Sequence, residues 1–81
     1  MSRENWIELV SKHYDYTLYH DGAGNYFLEV LSGGIATVMY LLRLNQDEVR
    51  CYQADGNDFI EQLARSVSKY PSKYSERIIS Q

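Results

Sequence analysis

The chain has one cysteine, one proline and no apolar run long enough to cross a bilayer, and each shortage removes a class of protein. A lone Cys51 cannot close an intramolecular disulfide. The staple of most small secreted domains is therefore missing, and a reducing, cytoplasmic setting is expected. The longest apolar stretch, Ile35 to Leu42, is interrupted by Thr37 and bounded by Gly34 and Arg43, far short of the ~20 residues of a membrane helix. No membrane contact is expected. Glu4 sits where a signal peptide would begin its apolar region, and none of Asn5, Asn25, Asn45 and Asn57 has Ser or Thr two positions on. Neither a secretion signal nor a glycosylation site is expected. With 44% hydrophobic residues and a net charge of -3, the chain lies outside the composition of disordered segments. Its 81 residues suit one domain, 1–81, around a single core.

The expected fold class is α+β: a three-stranded antiparallel β-meander, a C-terminal helix or helix pair on one face, and a short N-terminal helix. Residues 2 to 13 read as that first helix, with Ser2 as cap, Glu4 in the first turn, and Trp6, Ile7, Val10 and Tyr14 at helical spacing. Ile7-Glu8-Leu9 also alternates like a strand, so the period there is open. Tyr14 to His20 and Asn25 to Leu31 are rich in Tyr, Phe, Leu and Val and flank Asp21-Gly22-Ala23-Gly24, residues that tolerate positive φ, so they predict a hairpin. Ser32-Gly33-Gly34 predicts a second turn before a strand over Ile35 to Leu44.

At the next junction, Asn45 and Glu48 form a capping-box pattern, with Leu44 placed to pack on Val49. Val49, Tyr52, Phe59, Ile60, Leu63, Ala64 and Val67 then mark one apolar stripe. Gly56 interrupts it. One helix with a weak point, or two helices with Asp58 and Glu61 capping the second, both fit. Pro71 ends whatever precedes it, and Ser72 to Gln81, with Tyr74, Ile78 and Ile79, predicts a short helix or extended arm on the core.

The chemistry-bearing residues form no catalytic or metal-binding constellation, so no enzyme, cofactor or metal is expected. Cys51 falls inside a helix, away from an N-terminus that would lower its pKa, and reads as a partly buried structural thiol. His13 and His20 match no two-ligand spacing on a helix and have no neighbouring cysteines. The Asp21-to-Asn25 segment has Phe27 where the third glycine of a dinucleotide loop belongs, and too few carboxylates for a calcium loop. Glu29 and Asp15 could meet across strands, but nothing in the sequence signals burial. A domain this small is not expected to enclose a pocket of ~300 Å³ or more.

Two patterns remain. Residues 1 to 61 hold ten acidic and four basic side chains, whereas residues 62 to 81 hold Arg65, Lys69, Lys73 and Arg77 against Glu76 alone. That basic strip, with Tyr70 and Tyr74 interleaved, suits single-stranded nucleic acid, but the acidic balance of the chain works against it, and nucleic acid is the less favoured partner. The second pattern is the eight tyrosines. Strand alternation puts Tyr16, Leu18, Tyr26, Leu28, Val30, Val38, Tyr40 and Leu42 on one parity. The other carries Thr17, Tyr19, Phe27, Leu31, Met39 and Leu41, broken by Glu29 and Arg43. Two apolar faces need two covers. The expected function is a non-enzymatic protein-binding module, in shape akin to a small inhibitor or immunity-type protein, using Tyr19, Phe27, Glu29, Met39, Leu41 and Arg43. A homodimeric accessory protein and a nucleic-acid binder are the alternatives.

Overall fold

A computed structural model describes residues 5–12, 15–32 and 38–79 of the chain. Strands β1 (Ile7–Lys12), β2 (Tyr16–His20), β3 (Tyr26–Ser32) and β4 (Val38–Arg43) precede helices α1 (Gln46–Asp55) and α2 (Asn57–Lys69). A single 3-10 turn, Pro71–Tyr74, and a two-residue strand β5 (Ile78–Ile79) follow. The strands form one antiparallel sheet in chain order, β1 to β5. Among the described residues the molecule is therefore an α+β fold, as expected, but with five strands instead of three.

Alternation along β2, β3 and β4 builds the core. Leu18, Leu28 and Leu42 lie side by side across the three strands, as do Tyr16, Val30 and Tyr40. The three leucines and Val30 are fully buried and meet Leu44 and the α2 residues Ile60, Leu63, Ala64 and Val67 in one cluster. Burying each such aliphatic side chain contributes roughly 1.5–3 kcal/mol, which makes this layer the main stabilising contact. Val49, Tyr52, Phe59 and Tyr74 close its margin, so all seven residues of the expected stripe pack here.

The stripe runs through two helices. Gly56, at φ 69°, sends its N–H to the Tyr52 carbonyl at 2.7 Å and turns the chain directly into α2. With ψ at -142° this conformation costs a non-glycine residue about 1–3 kcal/mol, so glycine suits this joint. The capping box at α1 is complete: Asn45 Oδ1 accepts from the Glu48 N–H, and Glu48 Oε1 accepts from the Asn45 N–H, each at 2.8 Å. The expected Asp58–Glu61 cap is absent. Gly56 is the N-cap of α2 and offers no side chain, and Asp58 lies in the first turn. Tyr70, just before Pro71, ends α2 as expected.

The N-terminal helix is overturned. Residues Ile7–Lys12 pair with β2 instead, with the register slipping between Glu8 and Val10. The extra residue at this bulge breaks strict alternation and leaves Trp6, Ile7 and Val10 at a spacing that imitates a helix. The C-terminal arm resolves into the 3-10 turn plus β5, which extends the sheet beside Leu41 and Leu42. Ser2, Glu4, His13, Tyr14, the turn glycines Gly33 and Gly34, and Ile35 to Thr37 lie outside the described residues.

Candidate functional site

The same strands present a second, reverse face. Across it run Tyr19, Phe27 and Arg43 in one row, Thr17, Glu29, Leu41 and Ile79 in the next, and Leu31 with Met39 in a third. Among the described residues, the helical side chains that pack on the buried cluster all meet the opposite face, so α1 and α2 do not cover this one.

Its cover comes from the chain's only tryptophan. Trp6, just before β1, lies flat on Phe27 with ring centroids 3.9 Å apart and planes 12° from parallel, and its centroid is 5.8 Å from that of Tyr19. Phe27 is consequently only 3% exposed. Toward the other end of the face the cover thins: Leu31 is half-buried and Met39 is 48% exposed, although Leu41 between the ends is buried. Ile7 and Leu9 add exposed apolar surface on the β1 edge. Of the six residues expected to bind protein, Phe27 and Leu41 thus form a floor. Tyr19, Glu29, Met39 and Arg43 stand higher, with Met39 and Arg43 exposed.

Arg43 is positioned by a short polar chain at the hairpin end of the sheet. The Asp21 carboxylate accepts from the Ala23 N–H at 2.8 Å, the Asn25 N–H at 3.2 Å and Asn25 Nδ2 at 2.8 Å, which closes the loop. These bonds, from the Asn25 side chain first, hold its carboxyl below the usual 3.8. Asn25 Oδ1 in turn accepts from Arg43 Nη2. The loop is the expected hairpin turn, with Gly22 and Gly24 at φ 81° and 89°.

The expected basic strip divides. Arg77 pairs with Glu48 through both of its terminal nitrogens and donates to the Arg43 carbonyl at 3.1 Å, tying the tail to the start of α1. Arg65, Lys69 and Lys73 remain exposed. The ammonium groups of Lys69 and Lys73 lie 5.4 and 4.9 Å from the ring centroid of Tyr70, itself 45% exposed. Tyr74 turns inward, its hydroxyl 2.8 Å from Ser66 Oγ.

Cys51 is exposed, contrary to the expected partly buried thiol, because it falls beside the stripe carried by Val49 and Tyr52. His20 stacks near Tyr26, with centroids 6.3 Å apart, and His13 lies outside the described residues. Asp15 faces Lys12 at 3.6 Å. Among the described residues no group of three or more His, Cys, Asp and Glu side chains could hold a metal ion, and no helix is long and apolar enough to cross a membrane. Sequence reasoning missed the role of Asn25, whose only signal is its place at the end of a Gly-rich turn. Trp6 lies just before a strand and not in the helix expected over residues 2 to 13. The chain matches no family model, no curated protein and no solved structure.

Proposed function

We propose that the protein is a non-enzymatic binding module that docks another protein on the reverse face of its sheet, in the manner of a small inhibitor or accessory subunit. The observation that carries this reading is Met39, a large apolar side chain 48% exposed on a face whose opposite side is already sealed by α2. Trp6, Tyr19 and Arg43 share that face, and Trp, Tyr and Arg are the side chains that most often dominate binding energy at interfaces. The single exposed thiol of Cys51 suits a reducing, cytoplasmic setting, since an accessible free cysteine oxidises readily elsewhere.

The test is affinity capture from the native source with wild type and with Met39→Asp, both checked for an unchanged thermal midpoint. A discrete protein retained by wild type and lost by the variant is expected. Equal capture by the two would remove the reverse face from the account. Sedimentation at micromolar concentration separates a foreign partner from a second copy, because a homodimer persists without any added protein.

A nucleic-acid reading is favoured by one feature, the exposed Tyr70 ring between Lys69 and Lys73, with Arg65 a turn away. With Arg77 engaged by Glu48, at most three cations remain, so its affinity for single strands should be weak and should vanish with added salt.

A further inference from the structure

Where the β2–β3 hairpin loop meets the β4–α1 junction there is an open cleft of about 630 Å³, more than the sequence suggested so small a domain would form. Arg43 and Arg50 provide its charge, Asn25, Asn45 and Gln46 its amides, and half-buried Val49 an apolar surface beside the core residue Leu44. Among the described residues no carboxylate lines it, although the chain as a whole carries a charge of -3. The nearby acids are turned to other tasks. Asp21 closes the hairpin loop, Glu48 completes the capping box and pairs with Arg77, and Asp47 approaches Arg50 only at 3.7 Å in an exposed pair. Among the described residues its lining has no nucleophile and no group that exchanges protons near neutrality, so the chemistry it offers is recognition. At the start of α1 the capping box uses the N–H groups of Asn45 and Glu48.

We infer that this cleft receives carboxylate side chains from an acidic, partly apolar segment of a partner protein, with Arg43 and Arg50 each taking a carboxylate and Val49 taking an aliphatic side chain. The inference rests on the protein-binding reading and names the chemistry of the partner. Guanidinium groups match carboxylates in a planar, two-point contact. Arg43 is already oriented by Asn25, so less rotamer freedom is lost on binding. Arg43 also stands on the reverse face, so one partner can use the cleft and that face together.

The probe is a hexaglutamate peptide, titrated while the side-chain N–H resonances of Arg43, Arg50, Asn25 and Gln46 are followed by NMR at low salt. Saturable shifts confined to these groups are expected. Arg50→Gln, which disturbs only an exposed pair, should weaken binding about five-fold, and Arg43→Gln by a similar factor, whereas Lys73→Gln should leave it unchanged. Equal weakening by Lys73→Gln would mean diffuse charge attraction and overturn the site. Glutarate binding as tightly as the peptide would make it a small-acid site and overturn the segment assignment. Met39→Asp should leave peptide binding intact, so a silent titration sinks the cleft alone, whereas capture unaffected by Met39→Asp sinks the reverse face.

Discussion

The two faces of one sheet are cut from the same strands and differ in what covers them. On the helix side, Leu18, Leu28, Val30 and Leu42 meet Ile60, Leu63, Ala64 and Val67, and most of these side chains are fully shielded. On the reverse side a single indole shields Phe27, and protection thins toward Met39. Both faces carry large apolar residues, so residue type alone does not separate core from surface. What separates them is whether a second element with a matching stripe lies on top, and among the described residues the α1–α2 stripe covers one face alone.

The largest expected effect follows directly. Leu28→Ala or Leu42→Ala should cost about 3 to 5 kcal/mol in urea unfolding, since each leaves a cavity in a close-packed layer, and that is a large share of what a small domain possesses. Phe27→Ala comes next, at about 2 to 4 kcal/mol, because Trp6 can slump into part of the vacated space. The same variant should red-shift the emission of the lone tryptophan. A loss under about 1 kcal/mol would mean that the Trp6–Phe27 stack does not shield this half of the face.

How much of this was legible follows from the same contrast. The central strands and the α1–α2 stripe could be read because each has a clean period and is bounded by turn or cap residues, Asp21 to Asn25 on one side and Asn45 with Glu48 on the other. β1 could not, because an exposed edge strand with a bulge at Glu8 to Val10 has neither a continuous apolar pattern nor strict alternation. β5 is two residues long and carries no periodic signal at all. Met39, Arg43 and the reverse face followed from strand parity. The cleft did not, because Asn25, Arg43 and Arg50 come from three separate elements and converge only when Leu44 bonds back to Tyr26.

A backbone change tests the layer from the helix side. Gly56→Ala meets no neighbour within 4 Å, so its cost is conformational alone, about 1 to 3 kcal/mol from the positive φ with ψ at -142°. A neutral result would mean that α1 and α2 can join by another geometry.

Titratable groups couple stability to pH at both extremes, and the Lys12–Glu61 pair contributes to each, because the lysine holds the Glu61 carboxyl below its usual 4.5. On the helix side, burial pushes the Tyr16 hydroxyl above its usual 10.0, and the hydrogen bond to Glu61 raises Lys12 above 10.5. Both folded values are raised, so their stabilising contributions are complete below about pH 10 and fade as the pH climbs through the raised values. Asp21, at the hairpin end, behaves oppositely. Its lowered value adds stability above the usual 3.8 that is lost as the pH falls through the lowered one. Unfolding free energy measured across pH should therefore decline at both extremes, and Tyr16→Phe should flatten only the alkaline arm.

The smallest expected change in stability belongs to Met39→Ser, and it is the most discriminating. A side chain already half in water gives up little burial when shortened, so the unfolding midpoint should move by no more than about 0.5 kcal/mol. Serine on the opposite face of β4, in place of Leu42, would remove a fully shielded side chain and expose nothing to recover the loss. If Met39→Ser instead costs several kcal/mol with no change in mass by sedimentation, Met39 is core by energy whatever its exposure. The reverse face would then be a second hydrophobic layer of the fold and not a docking surface. A near-silent unfolding curve combined with loss of the captured protein would place the value of Met39 in recognition.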